Sequence, residues 1–358
     1  MPLRALARVS GGAITRNCAR LRGAARGARL CAVVKADGYG HGAVTAARAA
    51  QAGGAGWLAV ATAREAEGLR AAGLRGPLLV MGALSSEELA IALRAQADVV
   101  AWRRGFLDRL PDGSRVHVKL DTGMGRLGTR DAAEALDVAR EAARRGLLVG
   151  AMTHFATADD DPGFAREQLA RFMPWVDEVR AVAPGVLAHA ANSAATLGIA
   201  EARLDLVRCG IAVYGLDPFQ RDPAEHGLEP ALSLVSYVAD VKPIAPGESA
   251  GYGRRFVADE PGWLATLPIG YADGVRRGLS NNADVLIGGA RHPLVGTVSM
   301  DNVTVRIPAP VERGAEAVLI GAQGRERILA EEVAARLQTI NYEVTCGISA
   351  RVAREAVE

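Results

Sequence analysis

Ala32-Val33-Val34-Lys35-Ala36-Asp37-Gly38-Tyr39-Gly40-His41-Gly42 puts a single amine at the end of an apolar run and follows it with three glycines. Leu30 to Val34 is short, apolar and partly β-branched, the pattern of a buried strand. A strand end holds an amine rigidly, and glycines let backbone and a bulky anion come close. An apolar approach disfavours the ammonium form, and the neutral amine is the form that condenses with a carbonyl cofactor. The same residues also describe a lysine whose stem packs on the strand while its head reaches water. This stretch alone does not choose between the two.

Working outward, apolar runs alternate with Ala-, Arg-, Glu- and Leu-rich helical patterns as far as about Arg208. The strand candidates are Leu30–Val34, Trp57–Val60, Pro77–Met81, Asp98–Ala101, Val116–Leu120, Leu147–Thr153, Val186–Ala190 and Leu204–Val207. Helical patterns fall between them at Thr62–Ala72, Ser86–Ala95, Asp131–Arg145 and Phe164–Val182. Regular β-α alternation means a mainly parallel sheet, and eight units favour an α/β barrel of the (β/α)8 TIM type over an open sheet. Beyond about Pro230 the helical period gives way to short Val/Ile/Leu runs between turn signals, with one late helix near Ala330–Gln338. The expected division is a barrel over 1–228 and a mostly-β domain over 229–358, joined through Asp217-Pro218 to Glu229-Pro230.

Composition narrows the function. The 358 residues are 49% apolar with a formal net charge of +2, and no dense Lys/Arg run suggests nucleic acid or a membrane surface as partner. Cysteines 18, 31, 209 and 346 are scattered, without zinc spacing, which fits a reducing compartment. No stretch is long enough to span a bilayer and the N-terminus lacks a leader pattern, so the expected location is cytoplasmic. No metal site is expected.

Lys35, Lys119, His154, His189 and Arg208 all fall at the ends of candidate barrel strands, where parallel α/β folds place their ligand sites. Gly123, Gly125 and Gly128 spell G-x-G-x-x-G, but the acid that should end the next strand is missing, since that strand ends in Met152-Thr153-His154. Those glycines better serve to turn Arg126 inward, where its fork can hold a carboxylate or phenolate. Gly210 after Arg208 could bring backbone N–H groups near Gly210 and Ile211 to a phosphate, although a surface arginine beside a turn fits as well. Asn192-Ser193 would cap a helix. Tyr252, between two glycines, is an acid/base group only if a cation lowers its phenol, and is otherwise a packed turn residue.

Taken together, Ala32–Gly42, Lys119–Gly128, Thr153-His154-Phe155-Ala156, His189 to Ser193, Val207–Gly215, Gly270-Tyr271-Ala272-Asp273-Gly274, Met300-Asp301 and Asn341-Tyr342-Glu343 closely resemble the alanine racemase family. The resemblance implies pyridoxal 5'-phosphate on Lys35. It further implies a phosphate held by Tyr39, Ser193, Gly210, Ile211 and Tyr342, and Arg208 facing the pyridine nitrogen. Arg126 and the Met300 backbone would hold the substrate carboxylate. Lys35 and Tyr252, the latter from the second subunit of a homodimer, would be the two bases. His154 would assist the phenol, Lys119 would carry a carbamate in many members, and His189, Tyr271 and Asp301 would support the site. Ser299 stands where many members have cysteine, and Gly251 where serine is frequent.

The expected reaction is interconversion of L- and D-alanine for cell-wall synthesis. A broad-specificity racemase, a decarboxylase of related fold and a non-catalytic cofactor-binding protein are the competing expectations.

Overall fold

The computed structural model describes residues 3–358. All eight barrel strands form: Arg29–Val33, Trp57–Val60, Leu78–Val80, Asp98–Ala101, Val116–Lys119, Leu148–Met152, Leu187–His189 and Leu206–Cys209. They pair in parallel in chain order, and Leu206–Cys209 returns to pair with Arg29–Val33. The remaining seam closes through Asp205 N–H to Ala188 O (3.1 Å) and Arg208 N–H to Ala191 O (2.9 Å). Helices pack outside the strands, so most strand residues are buried on both faces and read as unbroken apolar runs.

The crossover helices start where local chemistry sets them. Thr62 with Glu65 and Ser85 with Glu88 form capping boxes ahead of Ala63–Ala71 and Ser86–Arg94. Asp131 caps Ala132–Arg144 by accepting from the Ala133 and Glu134 N–H groups. These signals were visible in the chain, and the helices fall within two residues of the expected bounds.

The second unit is built on a mixed ten-strand sheet. Its path runs Asp240–Ile244, Gly262–Leu267, Val303–Ile307, Ala290–Val295, Ala283–Ile287, Glu316–Gln323, Leu232–Tyr237, Leu6–Ser10, Ala353–Val357, and Glu326–Ile328 pairs off Glu316–Gln323. Leu6–Ser10, from the start of the chain, therefore lies in this sheet, antiparallel to residues 232–235 and parallel to 353–357. Ser10 then caps Gly11–Ala25, the helix that leads into the barrel. The segment from 217 to 230 is a packed strap: Asp217 is buried, and Asn17 and Glu229 exchange two hydrogen bonds of 2.9 Å. Ala330–Leu337 is the anticipated late helix; a second one, Asn341–Cys346, follows and carries Tyr342 to the barrel.

Candidate active site

The first barrel strand gives out at Val33, and Lys35 opens a single turn that winds the wrong way. Ala36, Asp37, Gly38 and Tyr39 have φ of 52°, 51°, 63° and 53°. Left-handed turns cost non-glycine residues about 1–2 kcal/mol each, so the surroundings must impose this one. Glu65 Oε1 accepts from Ala36 N–H (2.6 Å), Asp37 Oδ1 accepts from Ala43 N–H (2.8 Å), and Arg354 Nε donates to Gly40 O (3.1 Å). The buried His41 ring sits 3.1 and 3.0 Å from the Gly38 and Tyr39 carbonyls. The result seats the Tyr39 ring beneath Lys35, whose Nζ is 6.0 Å from the ring centre.

Lys35 opens into a cavity of about 480 Å³ at the C-terminal ends of the strands. The lining includes Lys35, Lys119, Arg126 and Arg208 and contains no Asp or Glu. Four cations without a carboxylate demand an anionic occupant. Burial, followed by Arg126, lowers the Lys35 amine from its usual range, toward the nucleophilic neutral form. Lys119 is pulled down to about 8 by burial and by Arg208 and Arg126.

One end of the cavity is shaped for a phosphate. Ser193, Gly210, Ile211, Tyr39 and Tyr342 line it. Burial holds both phenols above their usual range, so they stay protonated donors. A Cβ on Gly210 would lie 2.3 Å from the Tyr39 hydroxyl, so only glycine leaves this space open. The Gly210 N–H is spent on Ser193 Oγ (3.0 Å), whereas the Ile211 N–H has no protein acceptor among the described residues. Asn192 caps Ser193–Gly198 by accepting from Ala195 N–H at 2.9 Å, as its position suggested.

Arg208, two residues before Gly210, lines the same cavity. Nη1 donates to His189 Nδ1 (2.8 Å), and Nη2 reaches Thr153 O (2.8 Å), Ala190 O (3.1 Å) and His154 Nδ1 (3.2 Å). A guanidinium only donates, so both Nδ1 atoms are acceptors and each ring carries its proton on Nε2. Burial and Arg208 hold His154 and His189 well below the ordinary imidazole value, so both rings are neutral. Arg208 has no carboxylate in contact, and burial brings it down to about 10.

The loop after Lys119 is organised by a residue whose role the sequence did not disclose. Asp121 accepts from the Gly123, Met124 and Gly125 N–H groups at 3.1, 2.8 and 2.9 Å. Burial pushes its carboxyl up, but those N–H groups and Arg130 outweigh this and hold it below its usual range. The glycines at 123, 125 and 128 take positive φ, and Arg126 is delivered to the cavity mouth.

The remaining site candidates lie elsewhere on the subunit. Tyr252, Met300 and Tyr271 are exposed on the second unit (74%, 52% and 42%) and do not line the cavity. Tyr252 sits at the tip of the hairpin formed by Ser249–Ala250 and Phe256–Val257, with its carbonyl accepting from Thr297 Oγ1 at 2.8 Å. Gly251 beside it has φ 75° and ψ 179°, a conformation essentially restricted to glycine. Asp301 pairs with Arg351 (2.7 Å).

A barrel bearing a desolvated lysine above a phosphate-shaped cradle defines a pyridoxal-phosphate enzyme site. The profile "Alanine racemase, N-terminal domain" matches residues 9–218, and "Alanine racemase, C-terminal domain" matches 231–356. The alanine racemase of Symbiobacterium thermophilum is 44% identical, covering 97% of this chain and 96% of its own. That of Geobacillus stearothermophilus is 40% identical over 91% and 86%. Among solved structures, alanine racemase from D-cycloserine-producing Streptomyces lavendulae superposes with a TM-score of 0.93 at 36% identity, covering 100% of this chain and 98% of the other. The enzyme from E. faecalis gives 0.92 at 36% identity, with 99% and 98% covered. The chain belongs to the alanine racemase family.

Proposed function

We propose that the protein interconverts L- and D-alanine with pyridoxal 5'-phosphate, as a cytoplasmic homodimer supplying D-alanine to cell-wall synthesis. The observation that carries the reading is the cavity lined by four cations and no acid, with a desolvated amine at its wall. A phosphate and a substrate carboxylate are the anions it suits. No described helix is long and apolar enough to cross a membrane.

The residues fit the cofactor. Tyr39, Tyr342, Ser193 and the Ile211 N–H offer donors to a phosphate, and the glycine at 210 leaves the room it needs. Arg208 would face the ring nitrogen, and Lys35 would supply the amine for covalent attachment. Bound pyridoxal phosphate supplies an electron sink for the pair left when the substrate's α-proton departs.

The protein's own groups handle the proton. Racemisation requires removal on one face of the α-carbon and return on the other, and two opposed bases do this without either crossing the plane. Lys35 serves one face. For the other we assign the partner subunit's Tyr252, because Tyr252 stands exposed on a hairpin away from its own cavity. His154, its proton fixed on Nε2 by Arg208, would donate to the arriving phenol oxygen and stabilise its deprotonated form. Arg126, with the partner's Met300 backbone, would orient the carboxylate. The barrel unit, from Gly11 to 228, thus carries the cofactor, and the unit over 229–358, which the strand Leu6–Ser10 joins, completes the partner's site, supported by Tyr271 and Asp301.

The test is the visible spectrum of the purified protein before and after L- or D-alanine, with racemisation measured on a panel of enantiopure amino acids. A lysine-bound chromophore that responds to alanine, and fastest turnover on alanine, is expected. Stronger turnover of another amino acid makes it a broader racemase, carbon dioxide release makes it a decarboxylase, and colour without turnover refutes the enzyme.

A further inference from the structure

The barrel interior below Arg208 is polar where layers of branched apolar side chains are the norm. His189 Nε2 lies 2.8 Å from His117 Nδ1, and His117 Nε2 lies 3.1 Å from Asp98 Oδ2. Asp98, His117 and His189 are at most 1% exposed. Asp98 starts its strand and His189 ends another, so the column runs from the bottom of the barrel to the cavity floor.

Arg208 dictates the direction of every bond in this column. Because it donates to His189 Nδ1, His189 carries its proton on Nε2 and donates to His117 Nδ1. His117 must then hold its proton on Nε2 and donate to Asp98. One arrangement satisfies every group, and it ends on a carboxylate whose other oxygen accepts from Arg115 Nε at 2.8 Å. Arg208 touches no acid of its own, and Asp98, itself paired with Arg115, is linked to it only across two neutral rings.

A second feature makes room for the column. Gly150 sits inside the strand Leu148–Met152 opposite His117, without positive φ or a turn to account for it. A Cβ there would fall 2.1 Å from His117 Nδ1. Glycine weakens a strand interior, and here it marks the close approach of the ring. Trp57 meets the same ring edge-on, 5.5 Å between centres.

We propose that Asp98 and His117, seated against Gly150, are positioning residues of the racemase reaction: through His189 they fix the orientation of Arg208 at the cavity. The assignment rests on the functional reading above, in which Arg208 faces the cofactor ring.

The test combines 15N NMR of histidine-labelled holoenzyme, kept tractable by only six histidines, with kinetics of Gly150→Ala and Asp98→Asn per cofactor-loaded subunit. The parent should show unprotonated Nδ1 and protonated Nε2 in both His117 and His189. Gly150→Ala, which touches no group in the cavity, should lower kcat about tenfold with KM within about twofold, the range seen when supports behind an active group are lost. Asp98→Asn, which keeps an acceptor for His117 but removes the charge, should lower kcat less while preserving both tautomers. A protonated Nδ1 in either ring overturns the proposal, as does unchanged kcat in both variants. Should Gly150→Ala not fold, Asp98→Asn alone decides. A parent without racemase activity refutes the functional reading and leaves the NMR result standing, so the two failures are distinct.

Discussion

The Tyr39 hydroxyl occupies the space that any side chain on Gly210 would need: a Cβ there would be 2.3 Å away. Two segments 171 residues apart, one after the first barrel strand and one after the last, thus meet at the cradle. Gly210→Ala should drive the phenol aside and weaken cofactor retention by about 1–3 kcal/mol, the usual cost of overpacking. That is roughly five- to 150-fold in Kd. Equilibrium dialysis against pyridoxal phosphate measures it, and unchanged affinity would remove Tyr39 and Gly210 from the phosphate site.

Lys35→Ala should abolish covalent attachment. Lys119, the other lysine on the cavity wall, is held among Arg208 and Arg126 rather than on the left-handed turn. Borohydride reduction and peptide mass mapping read this directly: the parent should carry the cofactor on Lys35, and the variant should carry none. A reduced adduct on another lysine of the variant would refute the assignment.

Tyr252→Phe should separate the two directions. Enantiomers have an equilibrium constant of one, so kcat/KM must fall equally for L- and D-alanine. Asymmetry therefore has to appear in primary isotope effects. With α-deuterated substrates the effect should rise for L-alanine, whose proton Tyr252 is assigned to take, and change little for D-alanine. Equal changes would argue against a base on each face. On the proposed assignment of this phenol to the partner's site, mixing Tyr252→Phe with Lys35→Ala subunits should restore one intact site per mixed dimer.

Lys119 gives a pH dependence of definite sign. Its amine titrates near 10.4 in an unfolded chain and at about 8 when folded, because of burial, Arg208 and Arg126. Between those values the unfolded state binds more protons, so stability rises with pH from about 8 to about 10.4, and the full penalty applies below 8. Lys119→Met should therefore stabilise the protein at pH 7 by about 1–3 kcal/mol, with the advantage fading by pH 10.5. Urea midpoints at the two pH values check this. The family resemblance adds that the neutral amine can take up carbon dioxide and pair with Arg126, which 13C-bicarbonate NMR would reveal.

The barrel was legible because each strand is a short apolar run bracketed by helices with caps written in the chain, as at Thr62/Glu65 and Ser85/Glu88. The cavity residues Lys35, Lys119, His154 and Arg208 were legible because they are polar residues at strand ends, and so was His189, which lies buried behind Arg208. What escaped was non-local. Leu6–Ser10 looks like any short strand, and nothing nearby reveals that its neighbours are residues 232–235 and 353–357. His117 was read as one residue of the strand Val116-His117-Val118-Lys119. Only with Asp98, Gly150 and His189 brought around it does it become a link in a chain. The one trace in the sequence was a glycine midway along an otherwise apolar strand at 150. Asp121 was hidden among the glycines it organises.

The backward-wound turn after Lys35 is anchored by Glu65, Asp37, His41 and Arg354, all outside the ring of residues assigned to the cofactor. Those four contacts set its shape. Stripped enzyme given fresh vitamin B6 phosphate has no segment here to refold before capture. Reactivation should then follow simple second-order kinetics, its rate climbing linearly with added coenzyme and reaching no plateau set by a slow rearrangement of this turn.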